Sequence, residues 1–473
     1  MRNELLTMSL AEVARLVRER SVSPVELMKS YLRRIEELNP RLNAIVTLAP
    51  DALDLALEAG KRIARGANVG TLEGIPFTVK DTIETKDLRT TSGSLMRAEH
   101  VPKRDATAVA RLKRAGAILL GKTNVAEMAM HYDSSNPVFG RTNNPHDLAR
   151  TPGGSSGGEA AAVSACLSPA GLGSDLAGSV RIPAHFCGVV GLKPTAGSVP
   201  GRGQFPPAEG PYSLGASIGP IARRVEDLAL LFAVISEPDG STRATNKLSG
   251  FQNDVERLRE HRVAYYTDDG VVPVTDETKE ALAHAARALE DAGLVVEQVR
   301  PPCVERGAEL WPALFSRMSI KLLQELYEEA EEKAGEFVRA MLKVSARTAQ
   351  ASDDELIDAW LERDSLRRQL IEWMAEKPLI LAPVGAVAAF EHGARKVEVK
   401  GEEIGIFRAF SYSQTYNVFD LPSASVPAGR TREGLPIGVQ IIGKPFAEKM
   451  VLAAASIIEK SLGGWVEPKD FGI

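Results

Sequence analysis

Apolar positions recur at helical spacing from the start of the chain. Ser9 and Glu12 form a capping-box pattern ahead of Val13, Leu16 and Val17. Ser23-Pro24-Val25-Glu26 repeats the start signal with proline at the first helical position, and Asn39-Pro40 predicts the end of that second helix. Residues 1–70 read as an N-terminal helical region. The period then changes. In Gly74-Ile-Pro-Phe-Thr-Val-Lys-Asp81, Ile75, Phe77 and Val79 face one way and Thr78 and Lys80 the other, which predicts a strand. Residues 106–115 predict a helix ended by Gly116, and Ala117 to Leu120 a buried strand. Helix between strands is a βαβ arrangement and predicts an α/β protein with a mostly parallel sheet.

Residues 140–220 crowd Gly, Ser, Pro and Thr between short apolar runs, too apolar for a linker, so backbone is expected to pack closely there. Thr275 caps a helix whose apolar stripe is Leu282, Ala285, Ala286 and Leu289, and Gly293 ends it. Residues 305–376 are charged and helical and read as the outermost layer. Val426-Pro-Ala-Gly429 and Gly434 to Gln440 predict two late strands, and a closing helix runs from about Ala447 to Leu462. The segments are 1–70, 71–225 with the glycine-rich motifs, a variable helical layer over 226–376, and 377–473.

Composition narrows the function classes. Of 473 residues, 57 are Lys or Arg and 62 are Asp or Glu, a net charge of −5, which argues against a nucleic-acid binder working by bulk electrostatics. The longest apolar run, Pro378 to Phe390, is too short to span a bilayer, and Met1-Arg-Asn-Glu-Leu-Leu6 does not read as a signal peptide, so no membrane anchor is expected. Three cysteines, Cys166, Cys187 and Cys303, fit a reducing compartment, and the protein reads as cytoplasmic.

Gly153-Gly-Ser-Ser-Gly157 contains G-x-S-x-G, but Pro152 and the polar residues before it cannot form the central strand that a nucleophile elbow follows. Gly157-Gly158-Glu159 lacks the Lys-Ser/Thr of a phosphate loop, and Leu176 stands where a dinucleotide loop starting at Gly171 needs Gly or Ala. The second serine motif is Gly173-Ser-Asp-Leu-Ala-Gly-Ser-Val-Arg-Ile-Pro183. Gly178 allows close backbone approach beside Ser179, and the N–H groups of Leu176, Ala177, Gly178 and Ser179 are candidates for one oxyanion hole. Two hydroxyl motifs and an inward lysine on a strand suggest one mechanism, because desolvation frees a lysine's lone pair.

At these residues the chain resembles the amidase signature family. Gly74–Asp81, Gly121-Lys-Thr-Asn124, Pro152–Gly158, Gly173–Pro183, Gly188-Val-Val-Gly-Leu-Lys-Pro-Thr195 and Gly434–Gly443 carry the resemblance, which covers nearly the whole length. It implies one domain over 1–473 with a large mixed, mostly parallel β-sheet flanked by helices. It also implies a Ser–cisSer–Lys triad: Ser179 as nucleophile, Ser155 as the cis-serine after Gly154, and Lys80 as base. No cofactor or metal is implied. The family usually has Gly or another small residue at position 177, where this chain has Ala. Gly121–Val125 and Tyr132–Gly140 look like the fatty acid amide hydrolase branch, which places Ala129, Met130 and Tyr132 near an acyl pocket. The A-type subunit of tRNA amidotransferases is the alternative within the family; its usual polar residue after the loop arginine is absent, since residue 182 is Ile. The implied activity is hydrolysis of small or apolar acyl or aryl amides, with esters and carbamates chemically accessible. The partners expected are substrate and water, and the chain is expected as monomer or homodimer. A non-catalytic scaffold does not fit intact Lys80, Ser155 and Ser179.

Lys122 reads as structural, Asp175 and Arg181 as a mutual pair that locks the loop, and His131 and His185 as structural or pocket-lining. Ser198 to Tyr212 holds four prolines and three glycines and predicts a long loop bordering the site, with Arg202, Gln204 and Phe205 able to touch substrate.

Overall fold

The computed structural model of the chain describes residues 4–67, 69–237, 257–345 and 352–471. Three residues of the Met1–Leu6 stretch, and 238–256 and 346–351 of the expected helical layer, lie outside them.

One sheet of eleven strands organises these residues. In chain order the strands are β1 (Ile45–Leu48), β2 (Pro76–Lys80), β3 (Ile118–Thr123), β4 (Ala170–Asp175), β5 (Val190–Lys193), β6 (Ser217–Ala222), β7 (Arg262–Tyr265), β8 (Val295–Gln298), β9 (Leu379–Pro383), β10 (Ser423–Arg430) and β11 (Pro436–Gly443). Their spatial order is β1-β3-β2-β4-β6-β5-β10-β11-β9-β7-β8. The sheet is mixed and flanked by helices. Parallel pairing occupies two blocks, β3-β2-β4 and β9-β7-β8. The centre is antiparallel, where β10 and β11 form a hairpin.

The period of two along the strands sends alternate side chains to two cores. Val263, Leu379, Leu381 and Ile441 join one, with the helices Pro24–Leu42, Gly157–Ser164, Val225–Ile235, Asp276–Asp291 and Glu448–Leu462. Ala264, Ile380, Ala382 and Ile442 join the other, with Gly307–Tyr327, Asp353–Trp373 and Ser411–Val418. Both faces are covered, so these strands are apolar throughout rather than alternating with polar residues.

Two expectations change, and a third holds to within two residues: the second helix, expected to stop near Asn39-Pro40, ends at Leu42. Pro40 sits in the final turn, and the end is closed by Asn43 in left-handed geometry, while the Asn39 side chain accepts from the N–H groups of Ala44 and Ile45 at 2.9 Å each. Segment 1–70 is not only helical, because the β-branched Ile45-Val46-Thr47 forms an edge strand paired with β3. Segment 226–376 contributes β7 and β8 to the opposite edge. Among the described residues no helix is long and apolar enough to cross a membrane.

Candidate active site

Strand β2 ends at Lys80, and its Thr78–Lys80 side faces the helix Gly157–Ser164: the Thr78 hydroxyl donates to the Glu159 carboxyl, and Lys80 lies one pleat further on. Lys80 Nζ is 2.6 Å from Ser155 Oγ, 3.0 Å from Ser174 Oγ and 3.4 Å from the Ser174 carbonyl. The side chain is completely buried. That burial pushes the ammonium down to about 7, against the pull of the Asp175 carboxylate. A lysine in this environment is partly neutral near pH 7 and able to accept a proton.

Ser155 follows a cis Gly154–Ser155 peptide, as the resemblance implied. A side chain at Gly154 would meet the His131 carbonyl oxygen at 2.5 Å, so only glycine fits there. Ser155 and Ser179 line one cavity of about 460 Å³, and the Ser156 N–H donates to the Ser179 carbonyl at 3.2 Å. Exposure falls from 6% at Ser179 to 1% at Ser155 and none at Lys80, so the lysine reaches the cavity only through a hydroxyl.

The loop that carries Ser179 is held from below by a buried ion pair. Asp175 bonds the Arg181 guanidinium at 3.0 and 3.1 Å, and Arg181 also donates to Gln440 at 2.8 Å and Asn417 at 2.5 Å. Burial raises the Asp175 carboxyl, but the adjacent guanidinium overrides it and holds the group well below the usual carboxylate range. The expected Asp175–Arg181 lock is therefore present. The same carboxylate accepts from the N–H of Gly178 at 2.8 Å and of Val180 at 3.1 Å. This corrects the four-amide oxyanion hole: Gly178 already serves Asp175 and does not line the cavity, whereas Leu176, Ala177 and Ser179 do. Ala177 takes no positive φ; Gly178 does, at 97°, so alanine at 177 causes no backbone strain.

Ala129, Met130 and Tyr132, expected near an acyl pocket, line this cavity. Tyr132 donates to the Ala177 carbonyl at 2.7 Å and accepts from Gln414 at 2.9 Å, and burial keeps its phenol protonated. Arg202 and Phe205 do not line it. Arg202 is exposed, and its carbonyl accepts from Thr107 at 3.2 Å. Phe205 turns away to lie under the Arg97 guanidinium, 3.9 Å from its ring, and packs into a cluster with Met128 and Tyr327. Backbone bonds fasten this segment on both sides of the turn: Glu84 N–H to the Gly203 carbonyl at 2.7 Å, and Phe205 N–H to the Thr82 carbonyl at 2.8 Å. Gln204, Pro206 and Pro207 reach the cavity instead.

Lys122 is structural. Its ammonium donates to the Ile83 carbonyl and to Thr90 at 3.1 Å, and burial pushes it down to about 8. His185 bridges Val387 and Gly438, 3.0 Å from the carbonyl of one and 2.6 Å from the N–H of the other, while His131 lines the cavity beside Phe337. All three cysteines are buried free thiols. Sequence reasoning missed Ser174 as a second lysine partner, although it lies inside the quoted motif. It also missed the far wall: Trp311, Pro312 and Ser316 come from the helix Gly307–Tyr327, and Phe337 and Met341 from the next. The helices Gly307–Tyr327 and Glu336–Ser345, read as part of an outer layer, thus roof the cavity.

Comparison with known proteins matches the amidase family over residues 26–452. Human fatty-acid amide hydrolase 2 is 31% identical, over 99% of this chain and 91% of that protein. The A-type subunit of the glutamyl-tRNA(Gln) amidotransferase of Sulfurihydrogenibium sp. strain YO3AOP1 is 34% identical over 96% of each. Among solved structures, a bacterial aryl acylamidase of the amidase signature family superposes with a TM-score of 0.86 at 28% identity, over 96% of each chain. A 6-aminohexanoate cyclic dimer hydrolase with bound substrate gives 0.85 at 27% identity, over 98% of this chain and 99% of that one.

Proposed function

The chain belongs to the amidase family and hydrolyses carbon–nitrogen bonds, and on that premise we propose that it does so through Ser179, Ser155 and Lys80, on amides with small or apolar acyl or aryl groups. The contact that carries this reading is Lys80 Nζ at 2.6 Å from Ser155 Oγ, behind a cavity that Ser155 shares with Ser179. Neutral Lys80 takes the Ser155 hydroxyl proton as Ser155 takes that of Ser179. Ser179 Oγ attacks the substrate carbonyl, forming the C–O bond, and the N–H groups of Leu176, Ala177 and Ser179 hold the oxyanion. The proton returns through Ser155 to the nitrogen, the C–N bond breaks and the amine leaves. Water then follows the same path, releasing the carboxylic acid and free Ser179.

Met130, Tyr132, Trp311, Phe337 and Phe407 give the cavity an apolar, aromatic wall, which suits a hydrocarbon or aryl group better than an amino-acid head group. The amidotransferase relatives make glutamine the competing substrate. Esters and carbamates present the same carbonyl to the same nucleophile. The three buried thiols support a reducing, cytoplasmic setting. The test is hydrolysis of a panel of acyl p-nitroanilides, primary amides, aryl carbamates and glutamine. Preference for the apolar anilides is expected; glutamine as the best substrate would reverse the assignment.

A further inference from the structure

Trp311 belongs to the helical roof, yet its indole Nε1–H donates to the Leu176 carbonyl at 2.8 Å, across 135 positions of sequence. The Leu176–Ala177 peptide is trans, since the cis bonds among the described residues are Gly154–Ser155 and Phe205–Pro206. In a trans peptide the carbonyl and the following N–H point in opposite directions in one plane. Holding the Leu176 oxygen toward the indole therefore turns the Ala177 N–H away from it. The next plane is held in the same manner: Tyr132 bonds the Ala177 carbonyl at 2.7 Å, and the Gly178 N–H points to Asp175 at 2.8 Å. Two planes in succession are thus clamped by side chains, one from a cavity-lining loop and one from the roof. Trp311 also lines the cavity, next to Ala308 and Pro312, and is only half-buried.

We infer that Trp311 is a positioning residue for the oxyanion: its N–H orients the Ala177 amide while its ring forms the wall, so the group lying on that wall and the amide that meets the oxyanion are set together. This rests on the reading of Ser179 as nucleophile. Trp311→Phe keeps an aromatic wall and removes the donor. The probes are octanoyl p-nitroanilide as substrate, octyl trifluoromethyl ketone, which adds to a serine as an oxyanion adduct, and 1-octanol, which binds the wall without forming one. Losing an oxyanion donor outright costs 10²–10³ in kcat, and loosening its support is expected to cost about tenfold to a hundredfold. The ketone should weaken in step with kcat/KM, while KM and octanol affinity stay within about threefold.

An unchanged kcat, or a loss confined to KM and octanol affinity, would leave Trp311 as wall alone and overturn the inference. If Trp311→Phe does not fold, the benzothienylalanine replacement, which puts sulfur where the N–H was at nearly equal ring volume, carries the same measurements. Fluorophosphonate labelling of the wild type separates the two levels. Absence of label on Ser179 fails the nucleophile reading; label on Ser179 with an unchanged Trp311→Phe kcat fails only this inference.

Discussion

In the proposed mechanism, titration of Lys80 links catalysis and stability through one buried nitrogen. Burial takes it from 10.5 to about 7. The neutral fraction then rises from about 9% at pH 6 to about 91% at pH 8, so kcat/KM on a p-nitroanilide should climb about tenfold over that interval and level off. A lysine at its ordinary value would be about 0.3% neutral at pH 8 and would drive the profile upward to about pH 10. The stability side has a definite sign. Between pH 7 and 10.5 Lys80 is neutral when folded and charged when unfolded, so the unfolded state binds more protons and this group's contribution to stability rises with pH. The cost, fully present below pH 7, is about 5 kcal/mol from the size of the shift. Lys80→Met removes it together with the bonds to Ser155 and Ser174, each worth about 1 kcal/mol. The variant should be inactive and more stable than wild type by urea unfolding at pH 6. Its advantage should shrink by about 3 kcal/mol at pH 9.5 as the wild-type penalty fades. A profile still rising at pH 9.5, with an advantage independent of pH, would refute the reasoning.

Asp175→Asn leaves the Arg181 guanidinium buried without its counter-ion, so it should cost about 3–5 kcal/mol in urea unfolding and slow turnover as well. Phe205→Ala should lower the melting temperature through lost packing under Arg97, and Arg202→Ala should change little; neither should alter the ranking of leaving groups across an aryl-amide series. Met130→Gln should reduce kcat/KM for octanoyl more than for acetyl anilides by about tenfold, measured in parallel initial-rate assays; equal losses would place Met130 outside the acyl pocket.

Elements whose determinants are local were legible in the sequence. The alternation in β2 put Lys80 on the same side as Thr78, and Thr275 with Gly293 marked both ends of the helix Asp276–Asp291. The two serine motifs are read from glycines that the packing does require. What escaped depends on partners distant in sequence. Gly178 looked free until Asp175, three residues back, proved to bind its N–H. Phe205 looked available for substrate because a phenylalanine in a proline-rich loop gives no sign that Arg97, more than a hundred residues earlier, will cover it. Trp311 sits in a charged helical stretch whose pattern resembles any surface helix; only the fold turns it toward the loop that carries Ser179. Ser174 carries no signal of its own in the sequence; only the fold brings its hydroxyl within 3.0 Å of Lys80.

The central claim, that Ser179 carries the acyl group, is tested most directly by mass spectrometry of the enzyme quenched in acid during turnover of octanoyl p-nitroanilide. The account predicts one octanoyl adduct, mapped by peptide fragmentation to Ser179, absent in Ser179→Ala and greatly reduced in Lys80→Met. An adduct on Ser155 or Ser174, or full acylation of the Lys80→Met enzyme at the wild-type rate, would contradict it.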